Sequence, residues 1–229
     1  MKKRYIALII LIAVAIAFTL YFYDYYHTTD TGTHYSNVTV KNTTNGILLD
    51  GPGCETALIF YPGAKIEYTS YLALLSEISS QGVDCYLVEM PLNLAVFGAD
   101  RADPIIENTN YSHYIISGHS VGGSMAAKYA SNNDKIEGLV LLAAYPSDEV
   151  KIPTLSVYGS KDKILNQKTY NDSKKLINNT IEEHIISGGN HAQFGNYGKQ
   201  KDDGTASITS SVQQNETAHI IVNFINRIK

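Results

Sequence analysis

The sequence predicts one mixed α/β domain built on a largely parallel sheet, with an apolar N-terminal helix ahead of it. Three observations point that way. Short continuous apolar blocks, ALIFY at 57–61, YLVEM at 86–90 and LVLLAA at 139–144, read as strands buried on both faces. Helical stretches separate them, the alternation of a doubly wound sheet whose ligands bind beyond the strands' carboxyl ends. The 229-residue length fits one domain of roughly 200 residues and leaves no room for two ordinary domains and a linker.

The first element is the apolar run. Tyr5 to Tyr23 holds nineteen residues without a charge, preceded by Lys2, Lys3 and Arg4 and followed by Asp24. As a helix it spans roughly 28 Å, about the thickness of a bilayer's hydrocarbon core. Tyr21, Tyr23, Tyr25 and Tyr26 fall where an interfacial aromatic belt would sit, and the basic cluster would stay inside. Residues 1–26 are therefore expected to be a transmembrane anchor that holds the rest of the chain outside the cytoplasm at the cell membrane. The rival is a cleaved signal peptide, since Ala13-Val14-Ala15 and Ala15-Ile16-Ala17 match the small-residue cleavage pattern, and the domain would then be secreted. The polar stretch 27–36 reads as a tether, and 37–229 as the globular domain.

Composition narrows the function. With 44% hydrophobic and 17% charged residues, 17 Gly and 6 Pro, the chain is not collagen-like, coiled-coil or wholly disordered. Net charge is −4, and −7 once the N-terminal basic cluster is set aside, so nucleic acid is not an expected partner. Export gives the two cysteines meaning. Cys54 and Cys85 each sit at or just before an expected strand. If the strands are parallel neighbours, a disulfide over that separation would contribute roughly 3–4 kcal/mol; the alternative is two buried free thiols. N-x-S/T triplets at Asn37, Asn42, Asn110, Asn171, Asn178 and Asn215 are glycan acceptors only in a host that glycosylates exported proteins.

Strands are expected near Val38–Lys41, Ile47–Asp50, Ala57–Tyr61, Asp84–Glu89, Tyr114–Ser117, Gly138–Leu142, Thr154–Tyr158 and Ile181–Ile186, with helices at Ser70–Ser80, Gly122–Ser131, Asn166–Leu176 and Glu216–Ile228. In the last helix Ala218, Ile221, Val222, Ile225 and Ile228 recur at helical spacing, the apolar stripe of a covering helix. The polar insertion between Phe97 and Ser112 is too small for a lid domain, so a substrate pocket should be open or shallow.

The chemistry centres on Gly118-His119-Ser120-Val121-Gly122. A bare G-x-S-x-G is weak, but here an apolar strand enters it and a small-residue helix leaves it. That is the setting of a nucleophile elbow. Ser120 would present its Oγ on a strained turn, and the Val121 N–H at the helix start would receive a developing oxyanion. A serine needs a base, and the base an acid to orient it. Three histidines follow at sufficient distance. His184 lies within a strand and His219 on the closing helix, whereas His191 lies in the flexible loop GGNHA after the last strand. His191 is the expected base. Asp162, in Gly159-Ser160-Lys161-Asp162 after a strand, is the expected acid, with Asp148 one strand earlier as its competitor. A second oxyanion donor is expected from the turn Tyr61-Pro62-Gly63-Ala64-Lys65, at the Ala64 N–H. Lys65 would pair with Glu67 or favour an anionic substrate group.

The blocks GHSVGG, YGSKD and GGNHAQFG, in that order, resemble the α/β-hydrolase superfamily. YPGAKIE and MPLNLAVFG resemble its dienelactone-hydrolase-like members, in a membrane-anchored or secreted bacterial and archaeal subgroup. The resemblance covers roughly 45–229. It implies an eight-stranded, mostly parallel sheet with helices on both faces, Ser120 as nucleophile, Asp162 as acid and His191 as base. It also implies hydrolysis of carboxylic esters or related acyl bonds of a small-molecule substrate, without a cofactor. The oxyanion turn departs from the pattern, with Tyr-Pro-Gly-Ala where many members have His-Gly. A non-catalytic binding protein on the same scaffold and an acyltransferase are the alternatives. The long stretch Gln193–Ile208 includes Asp202, Asp203 and Gly204 but lacks the ligand spacing of a calcium loop; it reads as an ordered loop bracing His191, and no metal site is expected.

Overall fold

The computed structural model of the chain describes residues 2–32 and 35–229, without the side chains of residues 2, 3, 15, 17 and 20–22. Eight strands, β1 (Thr39–Thr43), β2 (Gly46–Asp50), β3 (Thr56–Tyr61), β4 (Asp84–Val88), β5 (His113–His119), β6 (Ile136–Leu142), β7 (Thr154–Gly159) and β8 (Ile181–Ile186), form one sheet among these residues. Its order is β1-β2-β4-β3-β5-β6-β7-β8. The pairs β1–β2 and β2–β4 are antiparallel, and every pair from β4–β3 onward is parallel. The helices are α1 (Lys2–Tyr23), α2 (Leu72–Ser80), α3 (Asp103–Asn108), α4 (Val121–Ala130), α5 (Gln167–Ser173) and α6 (Ser210–Ile228).

The continuous apolar blocks follow from cover on both faces. In β3, Leu58 and Phe60 join a core with Leu74, Leu75 and Ile78 of α2 and Ile221, Phe224 and Ile225 of α6. Ala57, Ile59 and Tyr61 of the same strand face a second core with Ile105 and Ile106 of α3 and Ala126 and Ala127 of α4. Alternate side chains thus enter opposite cores, and neither face of β3 reaches water. Because β3, β5, β7 and β8 run in one direction, the turns at their carboxyl ends gather on one side of the sheet. Ser120, Asp162 and His191 all follow carboxyl ends of strands on that side.

Several elements depart from expectation. α6 begins two turns earlier, at Ser210, where Thr209 caps it by accepting from the Val212 N–H. Its first turns are polar, so the apolar stripe misses them; Gln213 and Gln214 are nonetheless buried on backbone they bond. The insertion after β4 holds two 3₁₀ turns, Pro91–Asn93 and Ala95–Phe97, and α3, and no lid domain.

Cys54 and Cys85 are not bonded: Cys54 is an exposed free thiol and Cys85 a buried one. Their strands are parallel neighbours as expected, but the register sets Cys85 beside Leu58. Four residues of extended chain back to Cys54 cover on the order of 13 Å, beyond a disulfide's reach. Burial pushes the Cys85 thiol up to about 12, so it packs as a small apolar group.

Residues 27–36, expected as a tether, are docked where described, although Thr33 and His34 lie outside the described residues. Thr28 Oγ1 hydrogen-bonds Ser70 Oγ at 3.1 Å, and Thr29 Oγ1 donates to Asn196 O at 3.0 Å. The apolar run is helical, as α1, and its described large side chains are exposed. Tyr21, expected in the aromatic belt, and Ala15 and Ala17 of the cleavage patterns have side chains outside the described residues. Among the described residues no helix is long and apolar enough to cross a membrane.

Candidate active site

Ser120 stands between β5 and α4 with φ 53° and ψ −124°, a left-handed backbone that costs a non-glycine residue about 1–3 kcal/mol. Its surroundings hold it there. The Ser120 N–H donates to Leu142 O at 2.9 Å and its carbonyl accepts from the Ser124 N–H at 3.1 Å. The glycines around it are demanded by contact. A Cβ on Gly118 would lie 2.6 Å from the Gly122 backbone, and one on Gly122 would lie 2.2 Å from the Pro62 carbonyl oxygen. The second contact also seats the β3 turn against the start of α4.

The loop after β8 brings His191 to the same place. Ser120, Val121, Ser124, Ala143, Ala144, Tyr145, Leu165 and His191 are among the walls of one cavity of about 110 Å³. His191 Nδ1 bonds Asp162 Oδ2 at 2.9 Å, with their side chains 1% and 0% exposed. The other Asp162 oxygen accepts the N–H groups of Ile164 and Leu165, both at 2.8 Å. With the carboxylate held this way, Nδ1 of His191 is the donor and the Nε2 lone pair faces outward from the pair. Nε2 is buried and has no hydrogen-bond partner among the described residues.

The turn after β3 has three N–H groups near the elbow, since Pro62 has none. Gly63 donates to the Tyr71 hydroxyl at 3.1 Å and Lys65 to Asn93 O at 2.8 Å. Among the described residues no acceptor for the Ala64 N–H between them occurs. At the start of α4, the Val121 N–H is one of the first-turn donors that a helix cannot satisfy internally. Of the two expected oxyanion donors, Val121 borders the cavity that Ser120 borders, and Ala64 lies on the neighbouring turn after β3. Lys65 Nζ lies 3.5 Å from Asp24, not paired with Glu67; Glu67 accepts from the Thr28 N–H.

His119 and Tyr71, which the sequence does not single out, sit beneath this site. Tyr71 accepts from Gly63, so its one hydrogen goes to His119 Nδ1, 2.8 Å away. The His119 ring centroid is 4.5 Å from that of His191. Complete burial, and secondarily the neighbouring His191, lowers the proton affinity of His119 well below that of a free histidine. The fold consequently keeps His119 neutral while the unfolded chain protonates it. Below about pH 6.5 the unfolded state binds one more proton, and His119 makes stability fall with acidity by about 1.4 kcal/mol per pH unit. Urea unfolding between pH 6.5 and 5 is expected to show a shallower loss in His119→Asn, whose amide can still meet Tyr71; an unchanged slope would exclude this account.

The stretch after His191 braces it. Asp203 Oδ2 accepts from the Ala192 N–H at 2.9 Å, and Asn190 Nδ2 donates to Gly204 O at 2.7 Å. Gln213 clamps Asn190 twice, accepting from its N–H at 3.0 Å and donating to its carbonyl at 2.8 Å. Neither the Asp203 nor the Gln213 contact is legible in sequence, because each spans more than ten residues. The other candidates lie elsewhere: His184 bonds Glu216 at 2.9 Å, His219 is exposed beside Gln81, and Asp148 is exposed next to Ser147. No cluster of three or more His, Cys, Asp or Glu able to hold a metal occurs among the described residues. A larger cavity of about 350 Å³ lies beside the base loop, between Thr29, Lys199 and Asp203. Ser120 and His191 both border the smaller one and neither borders this one.

The model of a family described as the alpha/beta hydrolase family matches residues 57–215. No curated protein matches the sequence. Among solved structures, the fold is similar to dienelactone hydrolase from Anabaena variabilis, with TM-score 0.64 and 14% identity over 84% of this chain and 99% of that one. It is similar to a CIB-like hydrolase from Thermoplasma acidophilum, with TM-score 0.61 and 14% identity over 83% and 99% of the two chains. It is also similar to Est1E from Butyrivibrio proteoclasticus, with TM-score 0.58 and 12% identity over 83% and 100%. At such identities the likeness concerns the fold.

Proposed function

Because the chain belongs to the alpha/beta hydrolase family, we propose that it is a serine hydrolase that cleaves carboxylic esters through an acyl-enzyme. One observation carries this reading. The buried, unpartnered Nε2 of His191 borders the cavity that Ser120 also borders, and Asp162 fixes the tautomer that leaves Nε2 able to accept a proton.

In this reading Ser120 Oγ attacks the acyl carbon and its proton passes to His191 Nε2. The imidazolium is stabilised by Asp162, and the negative charge on the former carbonyl oxygen is met by the Val121 and Ala64 N–H groups. The collapse of that intermediate expels the alcohol, which takes the proton from His191. Water then repeats the sequence and frees the acid. Preorganisation favours this, since the elbow strain and the Asp162 bonds are in place before substrate arrives. Dienelactone hydrolase, a structural neighbour, is named for hydrolysis of a cyclic ester, and the same bond class is proposed here. The test is a fluorophosphonate probe on the full chain, with peptide mapping of the adduct. Labelling at Ser120 is expected; a folded chain that resists the probe would remove the proposal.

We also propose that α1 anchors the chain in a membrane with the domain outside the cytoplasm. Support comes from the nineteen uncharged residues behind Lys2, Lys3 and Arg4 and from the exposure of the large apolar side chains described in α1.

A further inference from the structure

The turn after β3 is held at both ends. At its far end, the Lys65 N–H donates to Asn93 O and the Lys65 carbonyl accepts from the Tyr26 N–H, both at 2.8 Å. Tyr26 is fixed in turn: its carbonyl accepts from the Glu67 N–H at 2.9 Å and its hydroxyl from the Lys201 N–H at 3.1 Å. At the near end, the Gly63 N–H donates to the Tyr71 hydroxyl at 3.1 Å. The Ala64 N–H belongs to the peptide between these anchors, and its direction depends on the Gly63 backbone. Glycine is the residue whose backbone is least constrained, so the Tyr71 bond is what fixes that end of the peptide.

Tyr71 serves Gly63 because His119 takes its hydrogen. The hydroxyl has one hydrogen, and giving it to His119 Nδ1, 2.8 Å away, leaves a lone pair for the Gly63 N–H. The turn lies directly on this pair. A Cβ on Gly63 would come within 2.9 Å of His119 Nδ1 and 3.0 Å of the Tyr71 hydroxyl oxygen. Both side chains are wholly buried, with the Phe60 ring 4.8 Å from that of Tyr71. His119 Nε2 has no hydrogen-bond partner among the described residues, and a buried polar group in that state costs stability. An apolar side chain would fill the space without that cost. What the imidazole adds is the acceptor at Nδ1. The pair also adjoins the reacting groups: His119 immediately precedes Ser120, and its ring centroid is 4.5 Å from that of His191.

We infer that Tyr71 and His119 are positioning residues of the proposed hydrolysis: His119 Nδ1 orients the Tyr71 hydroxyl, and the hydroxyl holds the Gly63–Ala64 peptide so that the Ala64 N–H meets the oxyanion formed at Ser120. The inference rests on the serine-hydrolase reading above. Neither side chain borders the cavity, so neither binds the substrate. Their effect falls on the transition states, where the charge develops, and a misplacement of about 1 Å there costs as much as ~10²-fold in rate. Acylation and deacylation both pass through an oxyanion, so both steps depend on the turn.

The full chain is assayed on 4-nitrophenyl acetate, with each rate referred to folded protein. Tyr71→Phe keeps the ring and removes the hydroxyl. Its kcat is expected to fall about tenfold or more with KM within twofold, because the two steps slow together. Affinity for phenylboronic acid, whose tetrahedral adduct on Ser120 Oγ puts an oxygen where the oxyanion forms, is expected to fall by the same factor. His119→Leu is expected to match Tyr71→Phe. His119→Asn, whose amide oxygen can take the Tyr71 hydrogen, is expected to restore kcat to within threefold of wild type. Tyr170→Phe controls for the loss of a buried hydroxyl as such. It removes a bond to Ser156 at 2.9 Å, and should lower the urea midpoint while leaving kcat and boronate affinity within twofold.

Tyr71→Phe or His119→Leu with kcat within threefold of wild type would overturn the inference. So would an unchanged boronate affinity, or equal losses in His119→Asn and His119→Leu. Should Tyr71→Phe not fold, the two His119 variants decide by the same criteria. A folded wild-type chain that neither hydrolyses the acetate nor binds the boronate removes the hydrolase reading, and this inference with it.

Discussion

Ser120→Ala is expected to lower ester turnover by about 10⁶-fold and to abolish fluorophosphonate labelling. The size follows from what the hydroxyl supplies. Without Oγ no acyl-enzyme forms, and His191, Asp162 and the open N–H groups act on a nucleophile that is no longer there. What survives is the weaker catalysis that oxyanion stabilisation and binding give to direct attack by water. Folding should not change. The main-chain bonds of Ser120 to Leu142 and Ser124 do not involve the side chain, and alanine meets the positive φ of 53° at the same cost as serine. The urea midpoint of the variant should correspond to a change within about 0.5 kcal/mol. Turnover that survives at more than a hundredth of the wild-type rate, in a folded variant, would place the nucleophile elsewhere.

Asp162→Asn should lower kcat by about 10⁴-fold with little change in KM. An asparagine keeps one oxygen for the Ile164 and Leu165 N–H groups, which both bond Oδ1, so the loop after β7 keeps its shape. Its amide then points at His191 Nδ1 and donates where the carboxylate accepted. The imidazole must answer with the other tautomer, carrying its hydrogen on Nε2, where it cannot take a proton from Ser120. The imidazolium also loses its counter-charge. KM should hold because the Asp162 side chain is wholly buried and is not among the cavity walls. Asp148→Asn is the control. Its carboxylate is exposed, and turnover within twofold of wild type is expected. Loss at Asp148 together with retention at Asp162 would reverse the assignment of the acid.

Much of the fold was readable in advance because its signals are local. LVLLAA is apolar at every position, since β6 is buried on both faces, and GHSVGG announces a strand–turn–helix in which a Cβ on Gly118 would strike the Gly122 backbone four residues on. The chain order Ser120, Asp162, His191 was sufficient to nominate residues that prove to border or support one cavity. Local pattern failed where a contact is made across the sequence. The polar start of α6 reads as loop until Gln213 is seen to satisfy the backbone of Asn190. Residues 27–36 have the composition of a tether, and only the distant Glu67 and Ser70 give their hydroxyls and amides partners. For the cysteines, the neighbouring strands were anticipated, but the register that parts the thiols is set by the pleat of β3 against β4.

Composition and periodicity thus established the class of sheet and the strand–turn–helix around Ser120, since each depends on residues close along the chain. Which N–H groups stay open beside Ser120, which oxygen of Asp162 meets His191, and the placement of Tyr26 at the Ala64 turn were settled by three-dimensional packing. Those features depend on distance and direction between segments 29 to 175 residues apart, and side-chain type alone carries neither.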